Sequence, residues 1–519
     1  MMLSSLIVAC LLLPVSQSSS QETPLQRGER MLQEGELDAA LIEFRKAAAI
    51  PALAGQGAAG AARVCARMDR ADDAFGWLGR AVANGWGERD QLATDEDFAL
   101  LADDERYADV LPPLLMGAAA FAGKVRVLHE WQGESAGDQY GWVARPMGDL
   151  DGDGVIDFAS TAPTWRGARG MVHVISSRSG EQLFRYNGTQ PGLQMGNSVA
   201  GRADVNADGT PDVLIGGPGS GKQPGQVVVL SGKDGSTLHE LTRGVAGDGF
   251  GMKLSGIEDL DGDGHAEIVV GAASDGPGLV LVYSGKSGEL LYEIPGEVAG
   301  DGFGTSLDGT HDGAHRLLIV GAPKAGQRRV GRAYVYECDD AGAELRFVID
   351  TDKTGANLGQ YFVTWLGDLN GDGVPDAYAS DWSNGCKGPG TGRVFVHCGD
   401  TGERILTLSG HVRGEGFGTT AAVCGDANGD GAADMIIGAW QHSGVSRSAG
   451  ACYLHSGKDG SLLATWKATQ GGDTLGFDAV GLGDVDGDGA HDFLLTSAWS
   501  TLEHGRQGRV FLVAGPHFD

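Results

Sequence analysis

Six short stretches share one template, and their spacing limits what this chain can become. They begin at Asp149 (DLDGDGVID), Asp204 (DVNADGTPD), Asp259 (DLDGDGHAE), Asp368 (DLNGDGVPD), Asp426 (DANGDGAAD) and Asp484 (DVDGDGAHD). Positions one, three and five carry Asp or Asn, position six is Gly, and position nine is Asp or Glu. Together the six loops hold 21 acidic side chains, and like charges so close repel unless a counter-charge sits among them. A hard cation such as Ca²⁺ takes roughly 6–8 oxygens, and side chains at alternate positions of a tight loop converge on one point. Gly at position six permits the sharp turn. An EF-hand loop starts the same way but closes with Glu at position 12 between helices. Here closure comes at position nine and apolar strand residues follow, as in "FLLTSAW" and "IVVGAA". The expected fold element is therefore a calcium loop inside a β-hairpin.

Positions one, three, five and nine would give side-chain oxygens and position seven its carbonyl. The expected ligand sets are Asp149, Asp151, Asp153, Val155 and Asp157; Asp204, Asn206, Asp208, Thr210 and Asp212; Asp259, Asp261, Asp263, His265 and Glu267; Asp368, Asn370, Asp372, Val374 and Asp376; Asp426, Asn428, Asp430, Ala432 and Asp434; and Asp484, Asp486, Asp488, Ala490 and Asp492. Mg²⁺ suits them less, because it prefers few protein ligands and keeps its waters. The formal net charge is −30, and about six structural Ca²⁺ would bring it to about −18. An acidic surface repels phosphate backbones, so nucleic acid is not an expected partner.

The first ligands are 55, 55, 109, 58 and 58 residues apart. The long interval fits two units, the second of which ("GDGFGTSLDGTHDGAHRLLIVGAP") has lost the ligand set. That gives seven units, six with a metal loop. From Gly123 onward the chain alternates polar and apolar residues in short runs such as "GQVVVLSG", "GLVLVYSG" and "GRVFLVAG", bounded by glycine turns. The 87 glycines have no strict third-residue period, so they mark turns and not a collagen helix. This half reads as all β.

Each unit opens on an aromatic or apolar residue followed by Gly: Tyr140-Gly141, Met195-Gly196, Phe250-Gly251, Phe303-Gly304, Leu358-Gly359, Phe417-Gly418 and Leu475-Gly476. A strand, the acidic loop, a strand ending near "GAP" and "GxVxVxSG" follow. The pattern resembles the FG-GAP repeat of integrin α-chain head domains and of many bacterial extracellular proteins. The resemblance implies a seven-bladed β-propeller of four-stranded blades, with calcium loops on one face and the other inter-strand loops on the opposite face. The last unit ends after its third strand, whereas "GKVRVLHEWQGESAGDQYG" matches fourth-strand text. The strand at about Lys124 to Trp131 is thus expected to complete blade seven and remove two open sheet edges.

Residues 24 to about 115 obey a helical rhythm. Ala40, Phe44 and Ala47 match Ala74, Leu78 and Ala81 with a shift of 34, and Gly28 and Gly35 fall where a small residue and a turn belong. The stretch resembles tetratricopeptide helical hairpins, which implies a protein-contact role; a plain helical bundle with no partner is the alternative. A capping helix with Thr94 or Asp95 near its N-cap is expected next. The start, "MMLSSLIVACLLLPVSQSSSQ", reads as a secretory signal peptide, with a lipoprotein box at Cys10 as a second reading. No later segment is apolar enough to cross a membrane. The expected organisation is a signal peptide over 1–20, a tetratricopeptide-like helical domain over 21–116 and the propeller over 117–519, in a secreted or extracytoplasmic protein. The six remaining cysteines read as isolated buried thiols, with Cys386–Cys398 the first candidate for a disulfide.

"GGPGSGKQ" nearly spells a phosphate loop, but Gln223 stands where Ser or Thr is needed and a strand follows, so it reads as a blade loop. No HExxH or GxSxG occurs. Trp382, Trp440 and Trp499 recur at one blade position, which the resemblance to integrin-like propellers implies lies on the face opposite the calcium loops. They are candidates for stacking on sugar or peptide, or else filler between blades. The expected function is a calcium-stabilised protein- or glycan-binding module without enzyme activity, with a second protein partner on the helices. The alternatives are a polysaccharide lyase or hydrolase, which a Lys, Arg, His or Tyr cluster in the central cleft would favour, and a structural matrix protein.

Overall fold

The computed structural model describes residues 22–50, 53–83, 96–101, 120–221, 223–274, 276–502 and 505–518. The leader, Cys10 and the N-cap expected at Thr94 or Asp95 lie outside these residues. The chain divides into two compact units, Met1–Leu115 and Met116–Asp519.

The first unit holds α1 (Pro24–Gln33), α2 (Leu37–Ala48), α3 (Ala54–Arg67), α4 (Ala71–Ala83) and the single turn α5 (Glu96–Ala99). Thr23 caps α1 reciprocally with Gln26: the Thr23 hydroxyl accepts the Gln26 N–H at 3.2 Å, and the Gln26 side chain accepts the Thr23 N–H at 2.9 Å. Gly35 turns the chain into α2 with φ of 78°. The six residues matched at a shift of 34 are all fully buried in the helical core. Phe44 reaches that core only because two neighbours lack a side chain. A Cβ at Gly28 would lie 2.8 Å from the Phe44 ring, and one at Gly60 2.3 Å. Each of α1 to α4 packs against the next, so the helical hairpins are present.

The second unit is a seven-bladed β-propeller of four-stranded antiparallel sheets. Six blades run from innermost to outermost strand in chain order, over residues 144–187, 198–241, 253–295, 306–350, 363–409 and 421–467. Blade seven takes Ala479–Gly483, Asp492–Ser497 and Arg509–Val513 from the end of the chain and Val127–Gln132 as its outer strand. Val127 pairs with Val513 and Trp131 with Val510 across this seam. The innermost strands neighbour one another around the ring, and the last of them neighbours the first. Closure therefore occurs where the missing fourth strand placed it.

The unit-opening pairs fix the joints between blades. All seven entry residues, from Tyr140 to Leu475, are buried. Four of them form parallel bridges to a glycine of the preceding blade: Gly170–Met195, Gly278–Phe303, Gly331–Leu358 and Gly450–Leu475. A Cβ at Gly170 would lie 1.9 Å from the Met195 carbonyl oxygen, so no larger residue fits. The glycine after each entry residue has φ between 74° and 94°, a region that other residues enter at a cost. Apolar cores lie between neighbouring blades, such as the cluster joining Val280, Phe303, Leu318 and Tyr334.

Candidate metal centres and binding surfaces

The acidic loops join the innermost strand of a blade to the second strand, and all six have one geometry. The position-one carboxylate accepts the N–H of the position-six glycine at 2.8–2.9 Å. That glycine has φ of 87–91° in every copy. Position five accepts the position-seven N–H at 2.8–3.0 Å. Position nine is buried and accepts the position-two N–H at 2.8–2.9 Å. The loop therefore wraps its backbone amides around its own carboxylates, which aims the remaining oxygen lone pairs inward.

Convergence differs between copies. In blade three Asp259, Asp261, Asp263 and Glu267 each bring an oxygen within 4.8 Å of the others. Asp149, Asp151 and Asp157 do so in blade one, and Asp484, Asp486 and Asp488 in blade seven, while Asp153 and Asp492 stay outside those sets. In blade five Asp372 and Asp376 converge with the Cys398 thiol, which donates to Asp372 at 3.0 Å. The loops starting at Asp204 and Asp426 bring no three carboxylates that close. There Asn206 and Asn428 take position three, each accepting the position-five N–H at 2.9 Å with its amide oxygen. The His265 ring turns away to the Val205 carbonyl at 2.8 Å, so only its backbone belongs to the loop.

The donor set fits a hard divalent cation. It is all oxygen, apart from the thiol in blade five, and it is short of positive charge. Burial, reinforced by neighbouring carboxylates, pushes Asp157, Asp212, Asp376 and Asp492 up to about 6. In five loops the second oxygen of position nine accepts an N–H from just beyond the third strand at 3.0–3.2 Å. Glu267, one methylene longer, makes no such bond. Its Oε1 is buried without a partner, and burial plus Asp261, Asp259 and Asp263 push the carboxyl up to about 8. Cations gather nearby: Arg126 bridges Asp486 and Asp488 at 2.5 and 2.9 Å, and Arg178 lies 3.2 Å from Asp153.

Blade four shows what replaces the loop. Asp312 accepts the Ala314 and His315 N–H groups at 3.0 and 2.8 Å, and the Thr310 hydroxyl accepts the Leu317 N–H at 3.1 Å. Arg316 donates to the Asp259 carbonyl of the blade-three loop at 2.6 Å. Protein groups fasten this hairpin where its siblings present clustered carboxylates.

The recurring tryptophans follow the second strands, at the end of the blades opposite the acidic loops. Trp440 and Trp499 meet edge to face at 4.9 Å. Trp382 lies across Gly416 from Trp440, since a Cβ at Gly416 would be 3.5 Å from one indole and 3.4 Å from the other. Two further aromatics extend the group. Phe477 lies 5.5 Å from Trp499, and Trp142 lies 4.7 Å from Phe477. Tyr361, 42% exposed, stacks beside Trp382 at 5.3 Å. The result is a half-buried aromatic ledge running over blades five, six, seven and one. Among the described residues, the buried indole N–H groups of Trp440 and Trp499 have no acceptor.

The near-phosphate loop bridges Asp212–Gly217 and Gln226–Leu230, a strand-to-strand connection with no helix to receive a phosphate. Cys386 and Cys398 are both free, so the candidate disulfide does not form; Cys398 is committed instead to the blade-five loop. The central cleft does bring together Arg145, Arg202, Lys253 and His311 from four blades, the kind of cluster that the lyase or hydrolase alternative calls for. Among the described residues no helix is long and apolar enough to cross a membrane.

The architecture defines a class: a closed seven-bladed propeller with acidic hairpin loops on one rim and a blade-joining Phe-Gly or its equivalent at each joint. Residues 195–230 match the FG-GAP repeat family. The chain is also similar to integrin alpha-IIb of Mus musculus, with 34% identity over 222 residues covering 38% of this chain and 21% of that protein. Integrin alpha-V of Gallus gallus is 30% identical over 210 residues, covering 36% and 20%. Integrin alpha-3 of Cricetulus griseus is 33% identical over 175 residues, covering 30% and 17%. The molecule is a seven-bladed β-propeller with an FG-GAP repeat match over residues 195–230 and a similarity to integrin alpha chains over less than two fifths of its length; the matched region spans about a fifth of the length of these relatives.

Proposed function

We propose that this protein is an extracellular binding module whose ledge face docks a protein ligand and whose opposite rim holds structural Ca²⁺. The observation that carries the docking face is the ledge itself. Six aromatic side chains from four blades form one half-buried strip. Aromatic side chains supply large contact area at low entropic cost. The similarity to integrin alpha chains supports a protein ligand over a glycan.

The ions would be held by the position-one, -three, -five and -nine oxygens and the position-seven carbonyl of each loop. Bound there, Ca²⁺ supplies charge neutralisation and ties the innermost strand to the second strand; it takes no part in a reaction. The six described cysteines are free thiols, so in this reading the ions, and not covalent cross-links, would carry the stabilising role. The helical hairpins offer a second protein surface, on which Ile42 of α2 is 55% exposed.

The test is an extracellular-protein and glycan binding screen in calcium, repeated with Trp382, Trp440 and Trp499 all changed to Ala. Hits that vanish in the triple variant while its melting temperature holds support the ledge. Hits that survive it place the ligand elsewhere.

A further inference from the structure

The propeller's central channel holds a cavity of about 290 Å³ lined by residues of the innermost strands. We propose that this cavity is a binding site for a small organic carboxylate, held by Lys253 and Arg202 against the Phe362 ring. It is a second site, independent of whatever docks on the ledge.

The argument is an accounting of charge. Three carboxylates bear on this part of the channel: Asp308 and Asp312 line the cavity and Asp478 lies near Lys253. All three are already engaged, Asp312 with the Ala314 and His315 N–H groups at 3.0 and 2.8 Å and the His315 ring at 2.7 Å. Asp308 accepts the Ser255 hydroxyl at 3.1 Å with one oxygen, and the Thr364 hydroxyl at 2.6 Å and the Trp365 N–H at 3.2 Å with the other. Asp478 accepts the Thr420 hydroxyl at 2.5 Å and the Ala479 N–H at 3.0 Å on Oδ1, and the Ala144 N–H at 3.1 Å and Arg145 at 2.5 Å on Oδ2. Arg145 is thereby paired. Lys253 and Arg202 are not: among the described residues neither makes a hydrogen bond or an ion pair, although both line the cavity. Lys253 reaches the ring of Phe362 at 5.4 Å, with Arg145 over the same ring at 5.0 Å. His311, also lining the cavity, makes no hydrogen bond either.

A half-buried ammonium without an anion is costly, and a ligand anion at Lys253 offsets that cost, while the solvent-open Arg202 offers donors at little cost. Burial, together with the Arg145 charge, lowers Lys253 to about 8, and burial lowers His311 to about 4. Arg202 remains open to channel solvent and Lys253 is half-buried, so a ligand can reach both. The backbone also spends energy on the arrangement. Arg202 has φ of 72° at a register shift in its strand, between Ala200 and Ala203. A bulge of this kind re-aims a side chain.

The chemistry selects a carboxylate with an apolar body. A guanidinium presents donors in the planar geometry a carboxylate matches, while Phe362 and the buried Trp365 offer an aromatic wall. The volume is about twice the ~150 Å³ of a cavity that takes benzene. Tetrahedral inorganic anions use the charge but not the wall.

The test uses the full chain in calcium-containing buffer. Benzoate, its neutral analogue benzamide, and sulfate are titrated by calorimetry and by Trp fluorescence. The expected result is saturable binding of benzoate only, weakened about tenfold or more by Lys253→Met and by Arg202→Met, as loss of a charge-assisted hydrogen bond implies. Both variants are expected to melt no lower than the parent, because each removes an unpaired charge. The Trp382, Trp440 and Trp499 triple variant is expected to bind benzoate unchanged, which separates this site from the ledge. Benzamide binding as well as benzoate, sulfate binding as well or better, no binding at all, or benzoate affinity untouched in both Met variants would each overturn the proposal.

Discussion

Removing divalent cations is expected to lower the melting temperature of the propeller by roughly 20 °C. Six loops share one backbone geometry, and in blade three four carboxylates lie within 4.8 Å of one another, with Lys286 3.7 Å from Asp263 and Arg316 on the Asp259 carbonyl at 2.6 Å. Two such charges at that distance repel by about 1–3 kcal/mol, depending on how much water screens them. Extracellular calcium sites bind at about 10⁻⁴ M, so 10 mM Ca²⁺ contributes about 2.7 kcal/mol per site and about 16 kcal/mol over six sites. The propeller unit of about 400 residues has an unfolding entropy near 0.85 kcal/mol/K, which converts this to about 19 °C, or about 3 °C per loop. The assay is differential scanning calorimetry in 10 mM Ca²⁺, in 10 mM Mg²⁺ and in excess chelator. Single changes resolve the loops: Asp259→Asn is expected to remove about 3 °C of the calcium-dependent shift, while Asp312→Asn in the loop-less blade four leaves that shift intact. A total shift below the 3 °C of one site, or an equal shift in Mg²⁺, refutes the reading of these loops as calcium sites.

Asp352 supplies a pH signature. Burial works against its charge, but hydrogen bonds from Thr354, Asn384 and Arg393 outweigh burial and hold it near 2. Its folded value is depressed, so its contribution is complete above the unfolded value near 3.8 and is lost as pH falls toward 2. Asp352→Asn should therefore cost about 2 kcal/mol in urea unfolding at pH 7 and little at pH 2; equal costs at both would refute the pairing. Phe303→Ala at the joint between blades three and four should cost about 3–5 kcal/mol, because its ring is buried against Tyr334 at 5.6 Å and Tyr336 at 6.2 Å. A denaturation midpoint close to the parent's would show that the joint does not depend on this ring. Gly60→Ala places a methyl 2.3 Å from Phe44 and should destabilise the helical unit by about 1–3 kcal/mol despite alanine's helix preference, read by circular dichroism. A stabilised variant would show that Phe44 has room to move.

The features legible in the sequence were those written locally and repeated. Each acidic loop carries its own turn glycine and closing carboxylate within nine residues, so one copy contains the whole hairpin, and six copies with one doubled interval count the seven blades. The seam was legible because a fourth strand was missing at one end and surplus at the other. The channel site was not. Lys253, Arg145 and Arg202 come from three blades, two, four and six residues beyond Gly251, Gly141 and Gly196. No shared spacing marks them; the ring brings them together. Trp142 and Phe477 escaped notice for the same reason, since each follows an entry glycine at a position where other blades put Asn197, Met252 or Thr305. Cysteine spacing misled because Cys398 stands where Ser456 stands in blade six, and both serve the position-five carboxylate, Cys398 at 3.0 Å and Ser456 at 2.8 Å.

The seam has a mechanical consequence. Val127, where the chain enters the outer strand, sits opposite Val513, where the chain leaves its partner. Tension applied through the two ends of the propeller therefore falls on one rung at a time, as in a zip, instead of on the whole ladder at once. Such a ring resists loads spread across its faces and yields readily to a pull on its own termini. Single-molecule stretching from those ends should show low-force, stepwise opening of blade seven first; one abrupt high-force rupture would contradict this geometry.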